Sequence, residues 1–557
     1  MATQSISPAK QILLAVKAAA AADVATLRTL IATCSKTLNP IFLRILLTFL
    51  PESLESSEYT QLLVDYDSGI YSKSTLPPID VFVLGDLSEA QAAQNVRKLR
   101  LLQLRMSEKC LDAPEDELVL FLLHRSYRID QETGLITELP ELLAPFLDRS
   151  DYLRRWMLAT VLPLLRLNYE YHPSADGTQS LEWFEELDTS SAVKFLLSRT
   201  LHAGGSDVGG NLNIVPDVRG LTGPWLYGQN QWNRRKTSAD GMAAQTIEPL
   251  NSPPPIQKRS YGDWDALFAW ILRQAPANYS AIAELLEKWH DPRDVDLGGY
   301  GSATALLSDE DYEHVNSHYA HCTLSSAFCI PEATLPALSD VHRILTKASE
   351  RVGLGPIPTL QASAALLAPV FEFTNDDRSI REQVRELIIY LRNEDCHFSK
   401  PTHHTVHFVH ALLTSTYLLL RSTTSTPTIP QTAQLLVLDD TRRQFSLLTQ
   451  FLHNTAEAGG DDKLWMRRRN EILWLHDWGL QPHLENPSES TTHKGRGPFG
   501  LMPLTEIHKE ILRALISASR KSAPKPNPQP QHPQFRAKWR TRKSRRYGHC
   551  LPTSTMR

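Results

Sequence analysis

The sequence predicts an all-α protein, an extended α-solenoid of antiparallel helix pairs. Apolar residues recur at helical spacing in segment after segment, and alternating strand-type runs are nearly absent. The chain has 557 residues, beyond the roughly 250–300 at which a single core stops growing. Short, turn-rich connections favour antiparallel neighbours, and such pairs stacked along a chain of this length make a solenoid. No fixed-period repeat is visible, and tetratricopeptide, ankyrin and leucine-rich signatures are missing, so the repeats are structural and degenerate.

Helical spacing predicts a first helix over about 9 to 32. Ile41, Phe42, Ile45, Leu46, Phe49 and Leu50 then crowd one helix face that stops at Pro51. Further helices read at about 56 to 68, 116 to 127, 138 to 147 and 150 to 170. In the last of these, Leu153, Trp156, Met157, Thr160, Val161, Leu164, Leu165 and Asn168 form a broad stripe, and Pro163 predicts a kink. The same spacing recurs at about 180 to 198, 264 to 274, 278 to 290, 378 to 392, 403 to 421, 432 to 453, 464 to 477 and 504 to 520.

Two stretches interrupt the pattern. Residues 204–260 are rich in Gly, Asn and Pro and contain Pro253-Pro254-Pro255, which predicts a long irregular connection between an N-terminal helical half, 1–203, and a second half, 261–520. Residues 521–557 form a Pro-rich basic tail, expected to be disordered, with Arg536, Lys538, Arg540, Arg542, Lys543, Arg545 and Arg546 close together. No Asp or Glu follows Glu510 and the formal net charge is −4, so without about ten tail cations the body stands near about −14. Such a tail suits an acidic membrane or RNA; the plainer readings are a disordered end or a misannotated one.

Composition excludes several classes. Hydrophobic residues make up 42% and charged residues 22%, which argues against global disorder. Cys34, Cys110, Cys322, Cys329, Cys396 and Cys550 show neither CxxC spacing nor a regular framework, so a reducing compartment is expected. The apolar stretch from Ile12 to Leu27 is interrupted by Lys17 and Asp23, unlike a signal peptide. The stretch from Met157 to Leu167 is too short to span a bilayer and is flanked by Arg154, Arg155 and Arg166. Ala2 and the position of Cys550 leave no lipidation motif, so any membrane location is expected to come through a partner.

Motifs with chemical potential are few. His403, His404, His407 and His410 share helical spacing, with His403 and His407 four apart, and are the best metal candidates. No HExxH accompanies them, so no metal is assigned and a zinc hydrolase is only an alternative. His314, His318, His321 and Cys322 have similar spacing, against the plainer reading of a solvated helix face. Gly495, Gly497 and Gly500 spell GxGxxG but follow a polar loop, which suggests a helix start and not a phosphate cradle. Trp225, Tyr227, Trp232, Arg234 and Arg235 read as a packed turn or protein contact, and nucleic-acid binding is not expected of an acidic body. Catalytic residues, cofactor and small-molecule substrate are all expected to be none.

Seven strings resemble a known family. They are RILLTFLPES at Arg44 to Ser53, FLLHRSYRID at Phe121 to Asp130, VLPLLRLNYEY at Val161 to Tyr171, and DVRGLTGPWLYGQNQW at Asp217 to Trp232. YGDWDALFAWIL at Tyr261 to Leu272, NEILWLHDWGL at Asn470 to Leu480, and FGLMPLTEIHKEILRALI at Phe499 to Ile516 continue the series. Together they resemble the fungal secretory-pathway Sec-family subunit of the Dsl vesicle-tethering complex, related to the metazoan neuroblastoma-amplified sequence protein. The resemblance implies a non-enzymatic helical rod, peripheral on the cytoplasmic face of the endoplasmic reticulum (ER). There it would support retrograde Golgi-to-ER transport, its N-terminal part engaging an ER SNARE and its later part a sister tether subunit, to capture COPI vesicles. Family members continue with further helices where this chain turns Pro-rich and basic, which leaves two readings of residues 521–557, a genuine tail or a truncated or altered gene end. The alternative is a helical scaffold of another assembly whose basic tail binds membrane or RNA.

Overall fold

A computed structural model describes residues 6–71, 79–80, 84–85, 87–105, 115–173, 179–202, 214–229, 262–370, 380–392, 401–459, 461–479 and 495–522. Among these residues the regular structure is entirely helical. The chain forms two compact units, Met1–Leu420 with Thr426–Val437, and Arg421–Ser425 with Leu438–Arg557. In the first, Pro8–Ala20 packs on Val24–Leu38 and Phe42–Phe49, Asp309–Phe328 on Leu335–Arg351, and Leu335–Arg351 on His403–Leu420. Such stacking of sequence neighbours is the all-α solenoid arrangement. In the second unit Thr441–Glu457 packs on Asp462–Asp477 and Leu504–Ser522.

Capping residues decide where helices begin, and two expected helices are each divided by one. The run at 9–32 is two helices, because Ala22 takes φ 57° and the Asp23 carboxylate accepts the Thr26 N–H at 3.0 Å, starting Val24–Leu38. The run at 432–453 likewise divides into Ile429–Val437 and Thr441–Glu457, where Asp440 accepts the Arg443 N–H at 3.0 Å. In the segment expected at 138–147, Pro140 and Pro145 leave short 3-10 and α turns instead of one helix.

Around Pro163 the chain stays helical but changes pitch. Asp151–Trp156 and Leu162–Leu165 are α-helical, whereas Met157–Val161 and Arg166–Tyr171 are wound as π-helix. Proline supplies no N–H to the preceding turn, and wider turns on both sides accommodate the missing bond.

The expectation of irregular chain across 204–260 is corrected over residues 215–229. Val215–Asp217, Val218–Thr222 and Gly223–Gln229 form a continuous helical run, with Val218, Leu221, Trp225 and Leu226 buried. Gly220, Gly223 and Gly228 lowered the apparent helical propensity, yet they are there for contact. A β-carbon at Gly228 would lie 2.7 Å from the Ala159 nitrogen and the Arg155 carbonyl, so the two helix backbones touch. The rest of that connection, and the tail beyond Ser522, lie outside the described residues.

Gly228→Ala is expected to destabilise the chain by about 1–3 kcal/mol, because both opposing atoms are backbone and cannot rotate away. The gain in helix propensity is only about 1 kcal/mol. Thermal unfolding followed by circular dichroism checks this, and an unchanged or raised midpoint would rule out the close helix contact.

Candidate functional site: the buried arginine clasps

Family-like strings that are far apart in sequence meet in pairs, and arginines join them. Arg125, from FLLHRSYRID, is fully buried. Its Nη1 donates to Leu50 O at 2.8 Å, Nη2 to Pro51 O at 2.5 Å and Nε to the Tyr59 hydroxyl at 3.3 Å. The two carbonyls belong to RILLTFLPES, at the turn where Pro51 ends its helix. Glu52 of that string lies 3.7 Å from Arg125 and accepts from Arg128 Nε at 2.6 Å. Thus the first two strings hold each other through backbone atoms.

The next pair is similar. Arg166 Nη1 donates to Gly220 O at 2.9 Å and to Asp296 O at 2.7 Å, and Nη2 reaches Asp296 Oδ2 at 2.9 Å. The sequence reading placed Arg166 as a charged flank, whereas the guanidinium is inside. Burial raises the Asp296 carboxyl, but the Gly298 N–H and the Arg166 charge outweigh it and hold the group below its ordinary range. A β-carbon at Gly220 would overlap the Tyr171 ring, so only glycine fits there. Beside it, Asp217 takes His172 Nε2 at 2.9 Å and the Thr200 hydroxyl.

The loop after Tyr279–Lys288 gathers these elements. Arg219 donates through Nε to Asp294 at 3.0 Å and through Nη2 to Lys288 O at 2.7 Å. Tyr227 donates to Pro292 O at 3.0 Å, and Tyr319 to Trp289 O at 2.6 Å. Tyr227 also meets Trp264 of YGDWDALFAWIL edge to face at 5.7 Å. The last two strings join without arginine, through His476 Nε2 to Met502 O at 3.1 Å.

The sequence-derived candidates occupy other roles. His403 Nε2 lies 2.9 Å from Val352 O, and His410 Nε2 lies 3.1 Å from the Ser363 hydroxyl. His318 Nδ1 pairs with Asp265 at 2.7 Å, and His321 Nε2 with Tyr390 O at 3.1 Å. Burial pushes the Cys322 thiol up, away from a reactive thiolate. No three His, Cys, Asp or Glu side chains form a metal-ligating group among the described residues. The solvated-face reading of His318, His321 and Cys322 is corrected, because all three are buried.

Gly495, Gly497 and Gly500 do not start a helix; the next begins at Leu504. They lie on the C-terminal end of Asp462–Asp477, where Gly497 N donates to His476 O at 2.7 Å and Phe499 N to Leu475 O at 3.1 Å. A β-carbon at Gly495 or Gly497 would overlap those carbonyl oxygens. Helix-end carbonyls are thereby satisfied, the reverse polarity of a phosphate cradle. Trp225 and Tyr227 are core residues, while Trp232, Arg234 and Arg235 lie outside the described residues.

What sequence reasoning missed is the arginines. The available signal was a lone Arg inside an apolar run, in FLLHRSY and in LPLLRLNY, where a cation must find several acceptors or be expelled.

Arg125→Ala is expected to cost about 3–5 kcal/mol, since Leu50 O and Pro51 O lose their donor in a dry site and Glu52 loses a neighbouring positive charge. Arg125→Lys should recover part of this. Urea unfolding of the three proteins measures the difference, and a loss below about 1 kcal/mol for Ala would refute the clasp.

His321 and His410 give a pH signature. Burial, before any neighbouring charge, holds each imidazole down to about 4. The unfolded chain binds these protons first, near pH 6.5, so stability is intact above that value and is lost as pH falls from about 6.5 toward 4. Each histidine contributes a loss of about 3 kcal/mol by pH 4. His321→Gln with His410→Gln should flatten the difference in unfolding free energy between pH 7 and 4.5; an unaltered slope would place both imidazoles in water.

No helix among the described residues is long and apolar enough to cross a membrane. The search of curated proteins finds no match. A family model described as secretory pathway protein Sec39 matches residues 12–524, which takes in all seven strings.

Proposed function

Because the chain belongs to the Sec39 family of secretory-pathway proteins, we propose that it is a non-enzymatic subunit of a vesicle-tethering complex supporting retrograde Golgi-to-ER transport. A role in the secretory pathway follows from the family; the tether, its place and its partners are our reading. The subunit sits peripherally on the cytoplasmic face of the ER, joining ER SNAREs to a sister tether subunit for capture of COPI vesicles.

One observation carries this reading. The family match runs through both compact units, and in the first the arginines of the matched strings are spent on the chain's own turns: Arg125 on Leu50 and Pro51, Arg166 on Gly220 and Asp296. Side chains so committed hold shape, which suits a spacer that presents surfaces.

Affinity capture of the full-length chain from cells, with quantitative mass spectrometry, tests the proposal. ER SNAREs and tether subunits should be enriched at least about 10-fold over a control chain, a difference of about 1.4 kcal/mol in binding. Recovery of a folded chain with neither class enriched would refute the tether.

A further inference from the structure

We propose that residues 99–105 are a displaceable strap on a surface that binds extended peptide backbone, and that a partner's extended segment with leucine-like side chains replaces it. The helix Glu89–Lys98 ends at Leu99, which takes extended backbone, φ −64° and ψ 127°. The chain then crosses Phe42–Phe49 and Glu117–Thr133, two helices packed side by side.

Side chains from both helices grip its main chain. Arg44 donates through Nη2 to Leu101 O at 3.1 Å and through Nε to Leu102 O at 2.9 Å. Between those carbonyls, Leu102 N donates to the Thr48 hydroxyl oxygen at 3.0 Å. The Thr48 hydroxyl is itself anchored, donating to Arg44 O at 2.6 Å. From the other helix, His124 Nε2 meets Arg105 O at 3.2 Å.

A helical surface has no strand edge with which to extend a sheet, so it can hold an extended chain only through side chains. Arg44, Thr48 and His124 read carbonyls and an amide, which every peptide possesses. Leu99, Leu101 and Leu104 are half-buried, while Arg100, Leu102, Gln103 and Arg105 are exposed. The fit therefore asks for a segment with apolar side chains at its first, third and sixth positions. Four of its seven residues are exposed and side-chain hydrogen bonds hold its main chain, so it is expected to open locally before the helices beneath it. The inference leans on the proposed function only for the existence of a partner. Its test uses this chain and a synthetic peptide, so failure to capture SNAREs leaves it standing.

Hydrogen exchange of the full chain should show amides of 99–105 exchanging on the order of 100-fold faster than those of Phe121–Ile129. A chain carrying L99S, L101S and L104S should bind a fluorescent peptide of sequence LRLLQLR at least about 10-fold tighter than the unaltered chain. Adding R44A and T48A should abolish that binding. Strap amides as slow as the helix, failure of the triple-serine chain to fold by circular dichroism, or peptide binding that is absent or indifferent to R44A and T48A would each overturn the proposal.

Discussion

Where stacked helices bury a turn between them, a carbonyl left without a donor costs about 1–3 kcal/mol. A sheet would satisfy such atoms in a ladder; here arginine does so. The guanidinium carries five N–H groups in a fixed plane, so one side chain can serve carbonyls of two residues and a carboxylate together. Arg125 and Arg166 do this inside the first unit, while Arg219 serves Lys288 O with the Asp294 carboxylate and Arg199 serves Leu167 O at 3.2 Å. Burying the cation is tolerated because Glu52, Asp296 and Asp294 stand beside the donors.

The helical class and most helix positions were legible because an amphipathic face writes its period into the sequence. The helices Asp309–Phe328 and Leu335–Arg351 were not among the helices read. The first is buried along most of its length, from Val315 to Phe328, with Thr323, Ser325 and Ser326 among the apolar residues, so it has no face to betray it. Boundaries at Asp23 and Asp440 were misplaced because a capping aspartate inside an apolar pattern looks like one more surface residue. Pairing of the strings was illegible for a different reason: Arg125 meets residues 74 and 75 positions away, and no local pattern encodes that meeting.

Histidines and glycines teach the complementary lesson about motifs. HHTVHFVH places two of its imidazoles against Val352 O and Ser363, and the GxGxxG loop lies on the end of a helix instead of at its beginning. In both cases the spacing was correctly noted and the local partner decided its use. Spacing constrains which side chains can meet; burial decides whether they meet a ligand or the chain itself.

Arg166 and Asp296 also bear on the order in which the chain folds. Stacked repeats usually assemble from neighbour to neighbour, because their contacts are short-range in sequence. Here a buried cation must wait for a carbonyl and a carboxylate 130 residues further on. During synthesis the π-wound helix therefore cannot settle into its final packing until residue 296 has left the ribosome. The described helices that meet at this arginine, Arg166–Tyr171 and Val218–Thr222, are expected to gain their final packing together with the turn at Asp296 and to lose it together.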